Sequence, residues 1–170
     1  MSASGRLASE LIEVLASRSE KLAIVESITG GELSAAVTDV AGSSRVFMGS
    51  FVTYAESSKE ILVGVSPELI EKFGVVSSEV AIAMAEGVRS RLETTWSIST
   101  TGIAGPGPYG GVPAGRVWIA VAGPSSRVEK LELGDIGRER VRDGAVIGAL
   151  ALLTRILREL SGGGSAGIDK

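Results

Sequence analysis

The 170-residue chain contains no cysteine and no histidine. The first absence excludes a disulfide framework, a thiolate nucleophile and a thiolate zinc site. The second removes the usual general base and with it the Ser-His-Asp arrangement and most transition-metal sites. Aromatic residues make up only 4% of the chain, so the core is aliphatic and little material exists for stacking nucleic-acid bases. Long apolar runs are also missing. Residues 145–153 form the strongest one, far short of the roughly 20 needed to cross a bilayer, and the opening MSASGRLASELIEVL has no block suited to a signal peptide. Seventeen basic residues stand against 20 acidic ones, a net charge of −3, which argues against a nucleic-acid or anionic-membrane partner. The expectation is a cytoplasmic protein in which any acyl transfer or hydrolysis is carried by Ser, Thr, Tyr, Lys, Arg or carboxylates.

What is present suits one globular domain: 44% hydrophobic and 22% charged residues, in a chain long enough to hide roughly two-thirds of its unfolded surface. Leu7, Leu11, Ile12 and Leu15 mark one face of a helix over residues 4–18. The run LAIVE, residues 22–26, reads as a buried strand, followed by a Gly-bearing turn and a helix from Glu32 to about Val40. A second strand is expected over 46–54 and a short helix over 57–62. Ser66-Pro67 and Ser77-Ser78 mark two helix starts, the second carrying the buried stripe Val80, Met84 and Val88. Strands over 96–101, 116–122 and 127–133 follow, the last two joined as a hairpin, and then a long helix over 137–160. This alternation predicts a three-layer α/β/α sandwich with a mixed, mostly parallel sheet, one domain over 1–160, and a flexible tail over 161–170.

Sites in open α/β sheets gather where strands end and loops lead into helices, and three such loops carry chemistry. Ser27-Ile28-Thr29-Gly30-Gly31 places glycines at a helix start, suited either to an anion or oxyanion or simply to capping and turning. Lys59, one of five lysines, follows the second strand. In a chain without histidine it is the natural base for a serine hydroxyl if burial lowers its pKa, with Tyr54 as a hydrogen-bonding or relay partner; the other reading is a solvated lysine among Glu56 and Glu60. The loop over residues 102–115 holds six glycines and three prolines, either a wall shaped against a ligand or a surface excursion. Arg138, Arg140 and Arg142 open the last helix, where cations oppose the macrodipole unless something anionic compensates.

The segments ESITGG, DVAGSSRVFMGSFVTYAESSK, GVVSSEVAIAMAEG and TTGIAGPG, in that order, resemble the C-terminal domain of the competence/damage-inducible CinA family over about residues 8–160. The resemblance implies an α/β/α sandwich, here standing without the larger N-terminal domain of long members. It implies hydrolysis of the carboxamide of nicotinamide mononucleotide to nicotinic acid mononucleotide and ammonia, with no metal and no cofactor, in a homodimer. By matching motifs it implies Ser27 as nucleophile, Lys59 as base and Tyr54 beside them. Thr29, Gly30, Gly31, Gly42, Ser43, Ser44, Thr101, Gly102 and Arg142 are implied to bind substrate, with N–H groups near Thr29–Gly31 holding the oxyanion.

Three features depart from the family pattern. The loop after Gly-Pro is usually longer, with a Lys before its Pro-x-Gly, where this chain has Tyr109-Gly110-Gly111-Val112-Pro113-Ala114-Gly115. Ile28 replaces a small residue beside the nucleophile, and Glu56-Ser57-Ser58 form the stretch before Lys59 that usually carries Asn. Ile28 and Glu56 favour a rival reading, a nucleotide- or phosphate-binding homologue without catalysis; a partner-binding domain is the third.

Overall fold

Residues 1–163 are described in a computed structural model. Helix α1 spans Ala3–Ser17 and strand β1 spans Leu22–Glu26. Helix α2 (Glu32–Thr38), a single 3₁₀ turn (Ser43–Arg45) and strand β2 (Phe47–Val52) follow. Helices α3 (Glu56–Val63), α4 (Pro67–Phe73) and α5 (Ser78–Leu92) lead to strands β3 (Trp96–Gly102), β4 (Arg116–Ala122) and β5 (Arg127–Glu132), and α6 (Arg138–Gly162) ends the fold. Helix α6 continues through Ser161 and Gly162, beyond the helix end expected at residue 160; residues 164–170 of the expected tail lie outside the described residues.

Local chemistry accounts for most boundaries. The Ser66 side chain accepts from the Leu69 N–H with Pro67 opening α4, and Ser77 accepts from Val80 to open α5. Helices α3 and α4 stop at Gly64 and Gly74, both with positive φ. All five residues of β1 are buried, as a strand covered on both faces requires.

The five strands lie in the order β2-β1-β3-β4-β5. Strand β1 pairs in parallel with both β2 and β3, whereas β3–β4 and β4–β5 are antiparallel. Four strands therefore point one way and β4 the other, a mixed sheet. The antiparallel β3–β4 pair carries no short-turn signature, because residues 103–115 join it by a long excursion. Helices α1, α2 and α6 cover one face, over Leu22, Ile24, Trp96, Ile98, Val117 and Ile119. Helices α3, α4 and α5 cover the other, where Ala23 and Val25 meet Val63, Ile70, Val80, Met84 and Val88. The result is an α/β/α sandwich.

Helix α5 lies close on the sheet because both surfaces are small. Ala81 and Ala85 face Ala120 and Ala122, and the Ser97 and Ser99 hydroxyls each donate to α5 carbonyls at 2.6 Å. Its other side is as tight: a Cβ at Gly87 would stand 1.9 Å from the Val63 carbonyl oxygen. Gly87→Ala is expected to lower unfolding stability by about 2–3 kcal/mol through forced separation of α3 from α5, read as a lower urea midpoint with unchanged slope.

The connections from β1 and β2 leave on opposite faces, β1 into α2 and β2 into α3. A crevice opens between two strand ends where such connections part. Ser27 and Lys59 lie at this crevice.

Candidate active site

Ser27 is the first residue beyond β1, held at its backbone by a hydrogen bond from its N–H to the Thr100 carbonyl at 3.0 Å. Lys59 comes from α3, one turn inside the helix, and is 1% exposed. Its Nζ donates to the Thr53 carbonyl at 2.6 Å and to Ser27 Oγ at 3.1 Å. Burial pushes the Lys59 ammonium down to about 8, against the opposing pull of the Glu56 carboxylate. A lysine in that range, within hydrogen-bond reach of a serine hydroxyl, meets the geometric and acid-base requirements of a general base.

Both side chains line a cleft of about 560 Å³. Its remaining lining is mainly apolar, with Ile28, Val76 and Ile103 along the wall and Thr101, Gly102, Gly105 and Tyr109 contributed by β3 and the loop after it. Gly102 is required by space: a Cβ there would stand 2.7 Å from the Arg116 carbonyl oxygen and 3.0 Å from Ile28 Cδ1. The β-branched residue beside Ser27 thus packs toward a position left open by glycine.

Glu26, the last residue of β1, is fully buried and organises the turn that follows. Its carboxylate accepts from the N–H groups of Gly31, Leu33 and Ser34 at 3.0–3.1 Å, and from Ser34 Oγ at 2.5 Å. The open N–H groups of the α2 terminus are therefore occupied by the protein's own anion. Two of the N–H groups over Thr29–Gly31, expected to hold the oxyanion, are accordingly engaged within the protein. The Gly31 N–H is engaged by Glu26, the Gly30 N–H by the Ser27 carbonyl, and neither residue lines the cleft. Thr29 is likewise inward, its hydroxyl 2.8 Å from that of Thr100. Glu26→Gln presents an NH₂ group to donors and removes the charge assistance, so a loss of about 2–3 kcal/mol is expected, measurable by thermal or urea unfolding.

Arg142 does not reach the cleft either. Its guanidinium donates to the carbonyls of Ile28 and Thr29, each at 3.1 Å, and pairs with Glu32 at 2.9 Å; it clamps the turn from behind. The cleft's arginine is Arg138, which sequence reasoning grouped with its neighbours but did not single out. Arg138 donates to the Gly105 carbonyl at 2.9 Å and to the Tyr54 hydroxyl at 2.8 Å. The two arginines are one helical turn apart on the same face. Since α6 starts at the cleft edge of the sheet, its first residue is the one at the rim. Tyr54 is 60% exposed and its hydroxyl meets Arg138 rather than Ser27 or Lys59. Gly42, Ser43 and Ser44 are the largest displacement from expectation. They precede β2, beside the start of β1, where Lys21 Nζ donates to the Arg45 carbonyl at 2.6 Å, so the length of the sheet separates them from Ser27.

Among the described residues no helix is long and apolar enough to cross a membrane, and no three His, Cys, Asp or Glu side chains group as a metal site.

A family model, the CinA C-terminal domain, matches residues 4–157. The chain is 46% identical over 160 residues to a CinA-like protein from Cyanothece sp., covering 91% of the chain and 38% of that relative. It is 43% identical over 156 residues to a putative competence-damage inducible protein from Limosilactobacillus reuteri, covering 90% and 38%. The chain thus spans less than two-fifths of the length of these relatives. Among solved structures, the competence/damage inducible protein CihA from Agrobacterium tumefaciens superposes with a TM-score of 0.88 at 34% identity, covering 93% of this chain and 97% of that one. A CinA superfamily protein from Escherichia coli gives 0.86 at 32% identity, covering 89% and 90%.

Proposed function

The chain belongs to the CinA C-terminal domain family, and from that premise we propose that it is a serine amidohydrolase that removes ammonia from nicotinamide mononucleotide. The observation that carries the proposal is the buried Lys59 ammonium 3.1 Å from Ser27 Oγ at the floor of the cleft. Neutral Lys59 takes the proton of Ser27 as Oγ attacks the carboxamide carbon. The C–N bond of the tetrahedral intermediate then breaks, Lys59 returns the proton to nitrogen, and ammonia leaves an ester on Ser27. A water molecule, deprotonated in turn by Lys59, cleaves the ester and regenerates the serine hydroxyl. The N–H group of Ile28, which is not among those Glu26 takes and belongs to a residue lining the cleft beside the nucleophile, is assigned to the oxyanion.

Arg138 is assigned to the phosphate, being the guanidinium that lines the cleft, with Tyr54 and the Gly105 carbonyl holding it in place. Arg142 and Glu26 act through the backbone of the Ser27 turn. The test is ammonia and nicotinic acid mononucleotide appearing in equal amounts on incubation with nicotinamide mononucleotide. Binding without ammonia would favour the non-catalytic nucleotide-binding reading, for which the unusual Ile28 beside Ser27 is the specific observation.

A further inference from the structure

The charged side chains lining the cleft are Lys59, Arg138 and Glu56. Lys59 is buried at the floor, and Arg138 is tied to Tyr54 and Gly105 at the rim. Glu56 differs from both. It is exposed, sits in the first turn of α3, and among the described residues no hydrogen bond or ion pair engages its carboxylate. The three-residue spacing sets it on the helix face that carries Lys59. Ile28, Val76 and Ile103 line the same cleft, apolar groups that screen a charge there less than water does.

We propose that Glu56 is a specificity-determining residue that biases this cleft toward an amide carried on a cationic ring. The inference rests on the amidohydrolase reading and extends it to the charge of the substrate. Nicotinamide mononucleotide is positive at the pyridinium that bears the carboxamide and negative at the phosphate. The cleft supplies the complementary polarity, a carboxylate on α3 one turn before the lysine that meets the serine and a guanidinium on α6 at the rim. The same carboxylate faces Lys59. The other charged or titratable groups of the lining are Arg138 from α6, Tyr54 from the segment after β2 and Tyr109 from the Gly-rich loop, while Glu60 on α3 is exposed to solvent. Glu56 therefore trades some basicity control for ring recognition: it holds the cationic ring and also favours the charged form of Lys59.

The test compares nicotinamide mononucleotide with its dihydro form, whose ring is uncharged. Dissociation constants are measured by calorimetry on Ser27→Ala protein, in which turnover is expected to be too slow to consume the ligand, with and without Glu56→Gln. The cationic form is expected to bind more tightly than the neutral one, and Glu56→Gln is expected to shrink that preference about two- to fivefold, the scale of an exposed charge pair. In parallel, the Lys59 Cε resonance is followed by NMR through pH in otherwise wild-type protein, and Glu56→Gln is expected to shift its midpoint to lower pH. A preference for the cationic ring that is unchanged in Glu56→Gln overturns the proposal, as does absence of any preference. Absence of ammonia release by the wild type, with the charge preference and its loss intact, overturns the amidohydrolase reading and leaves the ring selectivity standing.

Discussion

Lys59→Met is expected to reduce ammonia release from nicotinamide mononucleotide by about 10³-fold, the scale of a lost general base, while the protein folds normally. Methionine fills the same buried channel without a charge, so the variant separates chemistry from packing. A second effect identifies the cause. In the folded state Lys59 is lowered from 10.5 to about 8, so below pH 8 the fold carries the full cost of a buried ammonium. Between pH 8 and 10.5 the unfolded chain holds a proton that the folded chain has lost, and stability rises with pH. Relative to Lys59→Met, wild-type unfolding free energy is expected to gain about 2–2.5 kcal/mol between pH 7.5 and pH 10. Urea titrations of both proteins at pH 7.5 and pH 10 measure it. A constant difference between them would mean that Lys59 is not strained by burial, and its assignment as the base would lose its physical ground.

Ser27→Ala is expected to cost at least about 10³-fold in turnover, as loss of a nucleophile does elsewhere, with nucleotide binding retained. The hydroxyl accepts one hydrogen bond from Lys59, which keeps a second acceptor in the Thr53 carbonyl. The variant therefore leaves the ammonium partnered, and little change in melting temperature is expected. Activity close to wild type in Ser27→Ala would shift the nucleophile to a water molecule activated by Lys59, a different mechanism within the same cleft.

The parts of this account that were legible in the sequence share a physical basis. LAIVE followed by a glycine turn announces a central strand that ends in a loop, and Ser27 stands at that junction. Lys59 stands out because the chain has no histidine and few lysines. Each of these signals is local. Where the account depends on the path of the chain through space, local signals do not reach. The Gly42-Ser43-Ser44 turn looks like a site loop in the sequence, yet it lies at the starting end of β2, and only the direction of the strand decides which edge it joins. Arg138 and Arg142 share one helix face, and the position of the α6 terminus relative to the cleft separates the rim residue from the clamp. Glu26 reads as the last residue of a strand. That its carboxylate takes up the α2 N–H groups follows from the way the chain turns back over β1, and this contact engages the Gly31 N–H that the sequence offers to an oxyanion.

The central claim is that Ser27 is activated by a lysine whose basicity burial has reduced, and the pH dependence of catalysis tests it most directly. Ammonia release from nicotinamide mononucleotide by the wild-type chain would be followed from pH 6 to 10. The account predicts a rate constant at limiting substrate that rises about tenfold from pH 7 to 9 and levels off, with a midpoint near the Lys59 value of about 8. A rate independent of pH across this range, or no ammonia at any pH, would contradict it.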